Sequence, residues 1–199
     1  MARDTHPTKE RLIVTACELL ETHRPDSIQV DQLLQISGIS KGSLYHHFED
    51  LAEVLEVAQV RRYARRAEAD IEGISKIIYN AKDKEEFLVG LDQVTQSSQS
   101  PANRQFRMER SGIIALSRGN VRLQSLLSQT QQQITDALAD LVYEAQNRGW
   151  ITKEISARSL SVFMQAYTLG RIVDDVALNQ VDSDEWNGLL RRMLLTAFA

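Results

Sequence analysis

Apolar residues recur along this chain at intervals of three and four, the spacing that gathers them on one face of an α-helix. The segment 8–23 places Leu12, Ile13, Ala16, Leu19 and Leu20 on such a face. Arg24-Pro25 ends it, because proline has no amide hydrogen with which to continue the ladder. A short helix is predicted over 29–37, with Val30, Leu33 and Leu34 inward. Gly38 breaks it, and another short helix covers 40–47. Asp50 opens a long helix that reaches 71–74, and Glu53, three residues on, completes a capping box.

The same spacing continues to the end of the chain. After a joint at 80–83, a helix over 83–98 carries Phe87, Leu88, Leu91 and Val94. The polar stretch 96–103 reads as a loop. Helices follow over 104–118 and 121–148; Gly119-Asn120 separates them, and Gly149 caps the second. The last two cover 156–179 and 183–198. No β alternation and no internal repeat interrupts this pattern. The expectation is an all-α protein of about nine helices, divided near residue 50 into a small N-terminal domain at 1–50 and a larger helical domain at 51–199.

Composition agrees with this picture and narrows the setting. Only 9 glycines and 3 prolines occur in 199 residues, as long helices require. Cys17 is the single cysteine, so neither an internal disulfide nor a multi-cysteine metal site can form. The polar start carries no apolar signal segment, and no apolar run approaches the ~20 residues that span a bilayer. A soluble, cytoplasmic protein is expected. The net charge is -4, and the first fifty residues hold eight acids against five bases. Any contact with DNA must therefore come from a few well-placed groups.

Those groups are found in Ser27-Ile-Gln-Val-Asp-Gln-Leu-Leu-Gln-Ile-Ser-Gly-Ile-Ser-Lys-Gly-Ser-Leu-Tyr-His-His-Phe48. Val30, Leu33, Ile39 and Leu44 can close a small core between two crossed helices. Gly38 supplies the freedom for the sharp turn, and Ser40 can cap the second helix. Lys41, Gly42, Ser43, Tyr45, His46 and His47 are then left on a short exposed helix, the kind that enters a major groove.

This segment, through Gly38-Ile-Ser-Lys-Gly-Ser-Leu-Tyr-His-His-Phe48, resembles the helix-turn-helix of the tetracycline-repressor family. Ile13, Ala16 and Leu20 precede it at the right distance. The resemblance implies that Tyr45 and His47 touch phosphates and that Lys41, Gly42, Ser43 and His46 face bases or backbone. Ser27, Gln29 and Ser40 join the DNA-facing set. Three positions depart from the family pattern. Gln29 stands where a hydroxyl residue is common, with Ser27 expected to take over the capping. Leu34 stands where alanine is common, and Leu51 stands where lysine usually follows Asp50 and touches a phosphate.

The resemblance also implies an effector pocket and a two-fold dimer. Candidate pocket residues are Phe87, Leu91, Phe106, Met108, Arg110, Ile114, Leu127, Phe163 and Tyr167, a mixture suited to an amphipathic or aromatic organic ligand. The 156–179 helix is apolar on nearly all sides, and Gly170 would admit a close neighbour. The last helix carries a second stripe. The expected seam comprises Leu160, Met164, Thr168 and Arg171 from the first, with Trp186, Leu189, Leu190, Met193, Leu194 and Phe198 from the second.

Other chemistry finds little support. His46 and His47 point about 100° apart on a helix and do not easily chelate one ion, so no metal and no cofactor are expected. The run Arg61–Arg66 lies too far along the long helix to reach DNA and is expected to pair with Glu56 and Glu68. Asp174 and Asp175 are expected to pair with Arg171. No glycine-rich phosphate loop, His-Glu-x-x-His or Gly-x-Ser-x-Gly occurs, and no enzyme is expected. The reading is a ligand-responsive regulator, a repressor released from operator DNA by a small organic effector. The alternative is a helical small-molecule-binding or interaction protein with weak or no DNA binding.

Overall fold

The computed structural model describes residues 6–198, with side chains as far as Thr196. The described residues form ten α-helices, two short 3-10 turns and no strand. The helices are α1 (Pro7–Thr22), α2 (Val30–Ser37), α3 (Lys41–His47), α4 (Leu51–Asn80), α5 (Lys84–Gln99), α6 (Arg104–Ser117), α7 (Val121–Asn147), α8 (Ala157–Gly170), α9 (Ile172–Asp175) and α10 (Ser183–Phe198). The expected all-α architecture is what forms.

Three boundaries differ from expectation. Helix α4 runs on to Asn80, because Ile74 and Ile78 continue its buried stripe past the expected end. Helix α5 reaches Gln99 and takes half of the expected loop, and a 3-10 turn at Pro101–Asn103 follows Ser100. The 156–179 helix breaks after Gly170, and only the single turn of α9 follows. No atom lies within 4 Å of where a Cβ on Gly170 would stand, so within this chain the glycine admits no neighbouring helix.

The chain forms two compact units. Unit 1 is residues 1–65 with 116–128, and unit 2 is residues 66–115 with 129–199.

The first unit is built on α1, whose N-cap His6 accepts a hydrogen bond from the Thr8 amide at 3.3 Å ahead of Pro7 in the first turn. Leu12, Ala16, Leu33, Leu44, Val54 and Ala58 are all fully buried and form its centre, with Phe48 beside them. Each such leucine contributes roughly 2 kcal/mol by leaving water. Gly38 ends α2 in the left-handed conformation at φ 67, which is why a glycine stands at the turn. The start of α4 is held by Asp50, which accepts from the Glu53 amide at 2.7 Å. Glu53 in turn accepts from the Glu49 amide at 2.6 Å, one residue earlier than a standard capping box. Cys17 is buried against the Ala58 carbonyl at 3.5 Å, and burial pushes its thiol pKa up, so it is a small packing residue.

The second unit has its core in Ile74, Ile78, Phe87, Leu91, Ile134, Leu138, Leu160 and Leu190. Phe87 stacks on Trp150 at 5.2 Å between ring centroids. Gly149 turns the chain into that tryptophan at φ 75. Helix α10 is fastened to α5 by Trp186, whose indole donates to Gln99 at 2.9 Å, and by Arg191, which donates twice to Asp92 at 3.0 and 2.6 Å.

Candidate functional site

The helix-turn-helix of the first unit is anchored lightly. Ser40 caps α3, accepting from the Ser43 amide at 3.2 Å. Leu44 alone among α3 residues is fully buried, and Phe48 pins the residue that follows. The remaining side chains are free to face outward: Ser40, Lys41, Gly42, Tyr45 and His46 are exposed, and Ser43 and His47 are half-buried. Tyr45, a large aromatic side chain, is 49% exposed.

Ser27 and Gln29 are exposed at the edge of this surface. Ser27 does not cap α2. Its hydroxyl donates to the Arg24 carbonyl at 2.8 Å and closes the 3-10 turn Pro25–Ser27 instead. Gln29 occupies the N-cap with no side-chain bond. Leu34 and Leu51 are half-buried and pack against the unit's core. Leu51 is therefore an apolar contact where a phosphate-binding lysine was the family expectation.

Three imidazoles lie together beside α3. His47 is 4.7 Å from His6 and 4.9 Å from His46 between ring centroids. Desolvation by its neighbours, and then the charges of His6, His46 and Lys9, hold the His47 pKa below the ordinary histidine value.

The basic run of α4 is turned away from this role. Arg61 makes a two-pronged pair with Glu10 at 2.7 and 2.8 Å, and Arg62 donates to the Leu20 carbonyl at 2.5 Å. Arg66 faces Asp70 at 3.6 Å. Glu56, expected to serve this run, is taken by the α6–α7 turn, where Asn120 donates to it at 2.5 Å and Arg122 makes a very short contact. Arg122 also reaches Glu49 at 3.1 Å and Asp50 at 3.2 Å. It thus ties the segment following α3 to the start of α4. Sequence reasoning missed this residue, because its partners lie 66 to 73 positions away and no local period joins them.

The second unit contains a cavity of about 60 Å³. One wall comes from α4, where Ala67, Asp70, Ile71 and Ile74 follow helical spacing with one acid inside an apolar stripe. Leu91, Val94, Thr95 and Ser98 of α5, Arg110 of α6, Ile134 and Leu138 of α7, and Met164, Gln165, Tyr167 and Thr168 of α8 complete it. Burial raises the Asp70 pKa, against the opposing pull of Arg66 and Arg110. Burial likewise raises that of Tyr167, against hydrogen bonds with Thr95 and Thr168.

Of the expected pocket residues, Leu91, Arg110 and Tyr167 come together here. Phe87 is spent on Trp150, and Phe106 lies under the guanidinium groups of Arg66 and Arg110 at 5.8 and 5.7 Å. Met108 and Ile114 are exposed, Leu127 is buried in unit 1, and Phe163 is exposed edge-on to Tyr167. Asp70 was legible as a lone acid in an apolar stripe but was not singled out.

The residues expected at the dimer seam divide in two. Leu160, Leu190 and Leu194 are buried in their own unit, and Met164 and Thr168 line the cavity. Arg171 is buried, 3.4 Å from Asp174 and over the half-buried Trp186 ring at 5.0 Å. Asp175 pairs with Arg107 instead. Leu189 and Met193 are exposed, one turn apart on α10. The Phe198 side chain lies outside the described residues.

No family model matches the chain. It is similar to the HTH-type transcriptional regulator UidR of Escherichia coli K12, 25% identical over 177 residues, covering 87% of this chain and 84% of the relative. Its fold is shared with a TetR-family transcriptional regulator from Rhodococcus sp., TM-score 0.66 at 18% identity, over 96% of this chain and 98% of the other. It is also shared with a transcriptional regulator from Saccharomonospora viridis solved in complex with choline, TM-score 0.64 at 17% identity, over 96% of each chain. The chain thus has the fold of these transcriptional regulators, with an exposed helix-turn-helix in its first unit. Among the described residues, no helix is long and apolar enough to cross a membrane.

Proposed function

We propose that this regulator is a homodimeric repressor that leaves its operator when a small organic molecule occupies the cavity of the second unit. The reading surface comprises Ser27, Gln29, Ser40, Lys41, Gly42, Ser43, Tyr45, His46 and His47. The observation that carries this reading is α3 itself: one buried leucine holds it, while Lys41, Gly42, Tyr45 and His46 are exposed. The functional division falls near residue 50, with reading before it and effector binding and dimerisation after it.

The cavity supports an amphipathic effector. Its walls are mainly aliphatic, and Asp70, Arg110, Gln165 and Tyr167 provide polar anchors. At about 60 Å³ it holds a few waters as it stands, so a larger molecule must open it. The Saccharomonospora viridis relative, with choline bound, supports a small organic ligand on this fold. Helix α4 is continuous from Leu51 to Asn80, so a ligand that displaces Asp70 and Ile74 acts on the helix whose first turn carries Leu51. The exposed faces of α8, with Val162 and Phe163, and of α10, with Leu189 and Met193, are the dimer surface in this reading.

The test is selection of genomic DNA fragments by the purified protein, followed by titration of candidate effectors with and without the selected operator. Coupling of ~100-fold corresponds to ~2.7 kcal/mol and must appear in both directions. An effector that binds equally well in the presence and absence of operator ends the allosteric reading. Failure to enrich any fragment ends the repressor reading and favours a helical ligand-binding protein.

A further inference from the structure

Three of the chain's 4 histidines meet on the surface of unit 1. His6 arrives from the N-cap of α1, and His46 and His47 from the last turn of α3. None of them fills a core; His6 and His46 are exposed and His47 is half-buried. The charged groups that act on His47 are all bases, His6 and Lys9 from α1 and His46 from its own helix. Lys9 is itself held over the Phe48 ring, 5.2 Å from its centroid. The described bases around His47 make each other harder to charge, and a nearby anion removes that cost. Among the described residues no group of histidines, cysteines and acids is arranged to hold a metal ion.

We propose that His6 and His47 form a clamp for one backbone phosphate of DNA, with His46 beside them, and that His47 takes up a proton from solvent as the phosphate enters. This rests on the reading of α3 as the DNA-facing helix and adds His6, which the helix-turn-helix pattern does not include. The division of labour follows from hydrogen bonding. The Nδ1 atom of His6 accepts from the Thr8 amide at 3.3 Å, so its proton sits on Nε2 and points away from that cap. Charging His6 would give up the cap and set a positive charge at the positive end of α1. His47 makes no such cap and stands in the last turn of α3, where a cation is favoured. His6 therefore keeps its cap and donates from Nε2, and His47 carries the added charge.

The experiment is the affinity for a mixed-sequence duplex at low, fixed salt, where phosphate contacts dominate. It is measured by anisotropy between about pH 6 and pH 8, the range in which histidine titrates. Affinity should rise as pH falls, towards a limit of about tenfold per pH unit for one proton. His47→Gln should abolish the dependence. His6→Asn, which can still cap α1, should weaken it, and His23→Gln, at the far end of α1, should leave it unchanged. The imidazole C–H resonance of His47 should also titrate at higher pH with duplex present than without. Intact binding with a pH-independent affinity overturns the clamp and leaves the DNA reading standing, as does a dependence that follows His23. Absence of binding at every pH overturns both.

Discussion

Arg107 and Asp175, 68 positions apart, form a buried two-pronged ion pair: Nε donates to Oδ2 at 2.5 Å and Nη2 to Oδ1 at 2.7 Å. Arg107 is 1% exposed, and its remaining nitrogen donates to the Ser98 and Ser100 carbonyls at 3.1 and 3.3 Å. One side chain thereby joins α6, the end of α5 and the single turn of α9. Removing one partner strands a buried charge. Arg107→Met should therefore cost about 3–5 kcal/mol in urea unfolding, and Arg107→Met with Asp175→Leu should recover much of it. Equal loss in the single and double variants would show that the pair's geometry, and not the stranded charge, sets the cost.

The same pair sets a pH dependence. Hydrogen bonds from Arg107, opposed by burial, hold the Asp175 pKa below its ordinary value. A depressed folded-state pKa contributes stability that is present above the unfolded value of about 3.9 and is lost as pH falls through the folded one. Acid unfolding of the wild type should steepen below about pH 4, and Asp175→Asn should flatten that limb.

Gly42 separates folding from DNA binding. A Cβ there would meet no atom within 4 Å, and the residue lies in the first turn of α3. Gly42→Ala should leave stability unchanged or raise it by up to ~1 kcal/mol, since glycine is the weaker helix former. Loss of operator affinity in that stable variant would locate the DNA within a methyl group of this backbone. Unaltered affinity would place Gly42 outside the interface.

Leu51 tests the departure from the family pattern. Its half-buried side chain packs on the unit 1 core, but a lysine stem can cover the same surface with its ammonium in water. Leu51→Lys should steepen the salt dependence of log K by about 0.9 for each added phosphate contact. An unchanged slope would mean that this turn does not face the backbone.

Helix α10 yields opposite outcomes at two positions three residues apart. Met193 is 46% exposed, whereas Leu190 is 3% exposed. Met193→Glu should give stable monomers in sedimentation. Leu190→Glu should unfold its own chain, because it buries an unpaired charge at about 3–5 kcal/mol. A stable dimer carrying Met193→Glu would move the interface off this face.

What the chain declares locally is its helices, their caps and its reading head. Ser40, Gly38, Asp50 and Gly149 act on backbone groups within three or four residues, so their roles follow from spacing alone. Leu12, Leu33 and Leu44 likewise announce an inward face by period, and the core of unit 1 follows. Tertiary structure decided which of several equally apolar residues meet. Phe87 went to Trp150 while Leu91, one turn along the same helix, reached the cavity. Leu190 turned inward and Leu189 outward, although both belong to one broad stripe. It also chose the charge partners. Glu56 has arginines within a turn or two, yet its partner is Arg122, 66 positions on. Helical periodicity fixes a direction around one axis, but the neighbour met in that direction depends on how separate helices pack, and that is a property of the whole fold.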